Sequence, residues 1–146
     1  MQRIENYVTL EFLSRSSNES FARIAAAGFA AQLDPTLDEL GDIKTAVSEA
    51  VTNAIVHGYP DRLGKIVVKL KLVENRTLEI TVRDWGRGIE DVQQAREPLF
   101  TTGGEERSGM GFTIMESFMD RLNVKSTPGR GTTVTMRRRI SARIKG

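Results

Sequence analysis

Two runs of alternating apolar residues constrain this chain most. Ile66, Val68, Leu70 and Leu72 recur at every second position, and so do Leu78, Ile80 and Val82. A period of two sets each group on one face of a strand. Glu74-Asn75-Arg76 makes a tight connection between them, so the runs form a β-hairpin with one apolar face. That face needs a cover, and the flanking sequence supplies helices. Val8, Leu10 and Phe12 alternate over 7–12 and predict a first strand. Ser16-x-x-Glu19 reads as a capping box opening a helix through about 33, which Asp34-Pro35 stops. Thr36-x-x-Glu39 opens a longer helix to about 57, closed by Gly58 and Pro60. A short helix is expected near 91–96. Phe112, Met115, Phe118, Met119 and Leu122 mark another amphipathic helix. A strand beginning at Val124, a turn at Pro128-Gly129-Arg130-Gly131 and a strand over 132–138 complete the chain. The order β-α-α-β-β-(α)-α-β-β predicts the α+β class. The architecture expected is a two-layer α/β sandwich, with a mixed, mostly antiparallel sheet and helices on one face.

Composition narrows the chemistry. The 146 residues suit one domain over 1–146. Zero cysteines exclude disulfides, thiolate metal sites and cysteine nucleophiles, and fit a reducing, cytoplasmic setting. A single histidine, His57, excludes a histidine-rich metal centre; at a helix end it reads as a capping or structural residue. No apolar run approaches the ~20 residues of a membrane helix. Lys+Arg 21 against Asp+Glu 19 leaves +2, with Arg137, Arg138, Arg139, Arg143 and Lys145 crowding the C-terminus. Residues 139–146 read as a solvated basic tail. No aromatic residue lies beyond Phe118, so neither nucleic acid nor membrane is an expected partner.

Four segments carry candidate chemistry. On the long helix, Leu37, Leu40, Ile43, Val47, Ala50, Val51 and Ala54 form the core stripe. Glu49 and Asn53 are stacked one turn apart, about 120–160° from the middle of that stripe. A solvated face and a ligand-facing pair fit this placement equally; an asparagine oxygen suits Mg²⁺ and a glutamate suits a base. Asp84-Trp85-Gly86-Arg87-Gly88-Ile89 follows a strand: an ordinary loop, or an acid fixed to accept from a ring amine. Arg107-Ser108-Gly109-Met110-Gly111-Phe112 opens a helix whose free N–H groups suit phosphate. Gly131-Thr132-Thr133 enters the last strand, and Pro98-Leu99-Phe100-Thr101-Thr102-Gly103-Gly104 has a lid's composition. Neither the Walker P-loop nor the Rossmann glycine pattern is present.

In this order the segments resemble the motifs of the Bergerat-fold ATPases, the superfamily of histidine-kinase catalytic domains, gyrase and MutL. Glu49-Ala50-Val51-Thr52-Asn53-Ala54-Ile55-Val56-His57-Gly58 is similar to their N box. Asp84–Gly88, Arg107–Phe112 and Gly131-Thr132-Thr133 are similar to the three glycine-containing boxes. Asn18-Glu19-Ser20-Phe21-Ala22-Arg23 and Gly109-Met110-Gly111-Phe112-Thr113-Ile114-Met115-Glu116 look like the sporulation members of the anti-sigma serine kinases. The resemblance implies MgATP as cofactor. It implies a sigma factor that is bound and inhibited, an anti-anti-sigma factor phosphorylated on serine, and a homodimer with the first strand as a candidate contact. It implies Glu49 as base, Asn53 as Mg²⁺ ligand and Arg107 on the terminal phosphate. Asp84 would take the adenine amine, with Gly86 and Gly88 beside the ring and Thr133 assisting. Thr101, Thr102, Ser108, Gly109, Met110, Gly111 and Phe112 would line the phosphates, while Glu19, Arg23 and Thr52 would meet partners. Two positions depart from the family pattern: Gly103-Gly104-Glu105-Glu106 stands where a Lys-Pro segment is usual, and Trp85 where a small or acidic residue is common. A nucleotide-locked sigma-binding module without kinase activity and a stress-response anti-sigma kinase are the alternatives.

Overall fold

The computed structural model describes residues 2–97 and 107–142, with residues 107–109 given by backbone alone. Five strands form one sheet: β1 (Ile4–Leu13), β2 (Lys65–Val73), β3 (Thr77–Asp84), β4 (Arg121–Thr127) and β5 (Gly131–Arg139). Their order is β1-β2-β3-β5-β4, and each of the four pairings is antiparallel. In the β2–β3 hairpin Val68 pairs with Val82 and Leu70 with Ile80, which places the two alternating runs on one face. Asn75 and Arg76 turn the chain at positive φ, 66° and 55°.

Helices cover that face. They are α1 (Ser17–Ala30), α2 (Leu37–Asn53), the short α3 (Val92–Ala95) and α4 (Arg107–Phe118). Phe112, Ile43, Leu70, Ile80, Met115 and Met136 are fully buried between the layers. Of the stripe expected on α2, Ile43, Val47, Ala50, Val51 and Ala54 are buried, while Leu37 at its first position is 86% exposed. α1 runs on through a 3₁₀ turn, Ala31–Leu33, and ends where Asp34 takes a left-handed φ of 50°.

Three local expectations change. Ser16 makes no side-chain cap because it is itself helical; its backbone carbonyl takes the Glu19 N–H at 3.2 Å. The last helix starts at Arg107, where the glycine segment opens it, but stops at Phe118, so Leu122 lies in β4 opposite Met136. The region read as a tail from 139 begins inside β5: Ile140 is fully buried and Ser141 is hydrogen-bonded, while 143–146 lie outside the described residues. Basic residues are also spread over the uncovered face of the sheet. The strand period sets Lys69, Arg83 and Lys125 there, and Arg137 there pairs with Glu79 at 2.7 Å.

The C-terminal end is held by Glu39. Its Oε1 accepts the Thr36 N–H at 2.9 Å, and the Thr36 hydroxyl returns a cap to the Glu39 N–H at 3.1 Å. Its Oε2 accepts the Ser141 N–H at 2.9 Å. Arg76 completes the node by donating to the carbonyls of Leu33, Ile140 and Ser141. Burial works to raise the Glu39 pKa, but the hydrogen bonds from Ser141 and Thr36 prevail and hold it below the ordinary glutamate value. A carboxylate with a depressed folded pKa stabilises above its unfolded pKa, and that contribution is lost as pH falls through the folded value. Glu39→Gln turns an NH₂ group toward one N–H. Urea denaturation at pH 7 is expected to show a loss of about 1–3 kcal/mol. The gap to the parent should close as pH falls below the usual carboxylate range.

Candidate functional site

A cavity of ≈ 610 Å³ opens between the C-terminal end of α2, the ends of β3 and β5, and α4. Asn53, Asp84, Gly88, Phe112 and Thr132 line it. The backbone that shapes it is unusual. Where one helix was expected to about 57, α2 passes at Ala54 into a π-helical turn, Ala54–Gly58, the wider winding that recurs at functional sites. This turn ends against the loop after β3. The Gly58 carbonyl accepts the Arg87 N–H at 2.9 Å, and the His57 carbonyl accepts Arg87 Nε at 3.0 Å. Gly86 packs so closely that a Cβ there would overlap the Gly58 carbonyl. Its glycine identity therefore serves the loop's seat on the turn, and Gly86 itself does not line the cavity. The Tyr59 hydroxyl fixes the same loop, donating to the Lys65 carbonyl at 2.6 Å and accepting the Trp85 N–H at 2.7 Å.

Asp84 is 6% exposed. Its Oδ1 accepts the Gly86 N–H at 2.9 Å. Burial pushes its carboxyl pKa up, and the backbone amides of Gly86 and Thr132 pull against that shift. A buried carboxylate with spare acceptor capacity, opening onto a cavity, suits a ligand N–H. Trp85 turns away from it, under Lys65 Nζ at 4.4 Å and Arg83 Cζ at 4.5 Å from the ring centroid. The bulky residue at that position therefore does not intrude on the site.

Glu49 and Asn53 lie under α4. A Cβ on Gly111 would stand 3.3 Å from both amide atoms of Asn53 and from Glu49 Oε2, so the missing side chain lets the helices close on this pair. Asn53 Nδ2 is buried with no hydrogen-bond partner among the described residues. A buried amide nitrogen left unpaired is costly, and it marks a place where a ligand acceptor is expected. Glu49 itself borders a second, shallower depression of ≈ 340 Å³, together with Arg23, Lys44 and Ser48. Arg23 is steadied there by Glu19, Nε to Oε2 3.0 Å, one helical turn away.

The remaining sequence-derived residues divide. Phe112 lines the cavity, Met110 is 40% exposed outside it, and Thr52 lines neither cavity. Thr101 and Thr102 lie outside the described residues. Ser108, Gly109 and Arg107 begin α4, with side chains that are not described. Thr133 is corrected. It pairs with Arg83 and Lys125 and so shares their face, whereas Thr132 pairs with Asp84 and lines the cavity. The parity was legible: 132, 134 and 136 share the face of the apolar Val134 and Met136. Ile89, Asp91 and Gln94, also lining residues, carried no periodic signal that could have found them.

A family model, the histidine kinase-like ATPase domain, matches residues 14–138. The chain belongs to this family. Among curated relatives of this ATPase, the anti-sigma F factor of Thermoanaerobacter sp. (strain X514) is 57% identical over 138 residues, covering 94% of this chain and 96% of the relative. The anti-sigma F factor of Bacillus subtilis (strain 168) is 54% identical over 140 residues, 94% and 95% of the two chains. The RsbU and RsbW domains of Rv1364c from Mycobacterium tuberculosis share the fold at a TM-score of 0.69 and 22% identity, over 97% of this chain and 34% of that one.

An ATPase domain of this family binds nucleotide, and the lining fits one. Asp84 offers an acceptor, and Asn53 Nδ2 is a buried donor without a partner among the described residues. Among the described residues no group of three His, Asp or Glu could cage a metal ion. The Asn53 carboxamide oxygen is the neutral kind of ligand that Mg²⁺ takes beside phosphate and water, and Asn53 Nδ2 suits a phosphate oxygen. Asp84's raised pKa also has a sign for stability. The charged form is disfavoured in the fold, so the stabilisation carried by the neutral form is lost as pH rises through the folded value. Asp84→Asn is expected to raise the urea midpoint of the ligand-free protein at pH 7, and to give no gain below the ordinary carboxylate range.

Proposed function

We propose that this chain is an anti-sigma F-type regulator. It binds and inhibits a sporulation sigma factor, and uses MgATP to phosphorylate a serine of an anti-anti-sigma protein in the cytoplasm. The reading is carried by Asp84 and the unpaired Asn53 Nδ2 sharing one cavity, in a chain more than half identical to anti-sigma F factors over nearly its full length. Asp84 takes the adenine amine and Thr132 assists it, in place of Thr133. Gly88 and Phe112 flank the nucleotide. The start of α4, Arg107 to Gly111, lies toward the phosphates, where helical N–H groups and an arginine fork suit them. Asn53 holds Mg²⁺, which when bound offsets phosphate charge. Glu49 accepts the serine proton. Its place beside the Arg23–Ser48 depression suits this role, because an acceptor segment can reach it without crossing the nucleotide cavity. Phosphoryl transfer asks the protein for positioning and charge neutralisation more than covalent help. Arg23, with Glu19 and Thr52, meets the partner proteins.

The chain acts as a homodimer through β1. This strand forms one edge of the sheet, and Tyr7 on it is 66% exposed. An open edge of ten residues offers its free N–H and C=O groups to a second copy. Light scattering is expected to give twice the chain mass; a monomeric mass overturns the dimer.

Labelled MgATP and the cognate anti-anti-sigma protein test the kinase. The parent chain should yield phosphoserine on the partner. Glu49→Gln should lower transfer at least about a hundredfold, the scale of a lost general base, while keeping ADP affinity. Sigma binding without any phosphoprotein product from the parent chain would instead establish a nucleotide-locked binding module.

A further inference from the structure

Ser126 on β4 stands opposite Thr132 on β5, and Thr132 in turn stands opposite Asp84 on β3. Ser126 Oγ has three polar neighbours. The Ile89 N–H donates to it at 2.7 Å, the Gly131 carbonyl lies at 3.0 Å, and Thr132 Oγ1 lies at 2.8 Å. A serine hydroxyl has one proton and two lone pairs. Ile89 occupies one lone pair. If Ser126 gave its proton to Thr132, the Gly131 carbonyl would face a bare lone pair. With Ser126 donating to the Gly131 carbonyl, its second lone pair accepts from the Thr132 hydroxyl and all three contacts attract. Thr132 is then a donor to Ser126, and its hydroxyl has only lone pairs left for the cavity it lines.

We infer that Ser126 is a positioning residue for nucleobase choice. By fixing Thr132 as an acceptor beside the Asp84 carboxylate, it makes this end of the cavity acceptor-only. Such a site takes a ring bearing an exocyclic amine and rejects a ring carbonyl, whose lone pairs would meet two acceptors. A site built to bond one polar group discriminates against an analogue lacking it, because its own buried groups are left unpaired. The same hydroxyl anchors Ile89, so the loop that shapes the cavity and the proton that sets its selectivity depend on one atom. This inference deepens the nucleotide reading above and rests on it.

Calorimetric affinities for ADP and inosine diphosphate test it without any transfer assay. The parent chain should prefer ADP. In Ser126→Ala the Thr132 proton is free to turn into the cavity, and the ADP-to-inosine-diphosphate ratio should fall roughly three- to tenfold, the worth of one hydrogen bond. Ser126→Thr keeps the hydroxyl and should restore the ratio. Thr132→Val should lower the ratio alone, and adding Ser126→Ala to it should change the ratio no further; these two variants decide the matter if Ser126→Ala does not fold. An equal loss of both ligands in Ser126→Ala, with the ratio unchanged, overturns the inference and leaves Ser126 a packing residue. Equal affinity of the parent for both ligands overturns it too, while the nucleotide reading stands. Binding of neither by the parent overturns both.

Discussion

The Gly58 carbonyl is the point on which the site depends. It accepts the Arg87 N–H, it abuts Gly86, and its residue's Cα lies beside the Asp84 carboxylate. One peptide group thus joins the end of the α2 winding to the end of a central strand. Arg87 carries the connection on, since its carbonyl accepts the Gly129 N–H of the β4–β5 turn at 2.7 Å. Helix end, strand end and hairpin turn are closed into one rim by backbone hydrogen bonds. These elements approach through glycines, because a Cβ at Gly58, Gly86 or Gly131 would meet a neighbour at or inside van der Waals contact. The π turn matters for the same reason: an extra residue in the winding changes where Asn53, one end of the rim, is aimed relative to Gly58, the other.

Within that rim the fold keeps two groups that a purely structural core would exclude. Asp84 is a buried carboxylate with its pKa pushed up, and Asn53 buries an amide nitrogen without a partner among the described residues. Burying either without full compensation costs stability. They persist beside a core that is otherwise apolar, where Ile43, Val47, Ile66 and Ile80 are fully enclosed. Local destabilisation of this kind is what a binding site accepts so that its polar groups are free for a ligand. Glu39, by contrast, is as buried as Asp84 but has both oxygens engaged, and it is a structural anchor.

Much of this was legible along the chain, for reasons that differ by element. The β2–β3 hairpin and the Thr36–Glu39 cap depend on residues close in sequence, so period and spacing were enough. Ser16 makes no cap despite a correct spacing, because its own backbone is already helical rather than extended. The glycine segment from Arg107 marked the start of the last helix, but the apolar spacing carried its end too far, because Leu122 faces the same core from β4. Thr133 was preferred to Thr132 because motif matching ignores which face a strand residue takes, and only pairing with Asp84 decides that. Ser126 carried no signal, since its importance lies in contacts with two neighbours on β5 and with the loop at Ile89.

By itself the sequence determined the class of fold, the helical stacking of Glu49 over Asn53, the strand-end position of Asp84, and the exclusion of cysteine chemistry. Each of these follows from local period, local spacing or simple counting. Tertiary structure alone decided that Asn53 and Asp84 open onto one cavity, that Glu49 borders a second depression with Arg23, and that Thr132 shares the cavity with Asp84. Those are relations between residues tens of positions apart. They are set by antiparallel register and by the close seating of glycines on carbonyls, which no linear pattern encodes.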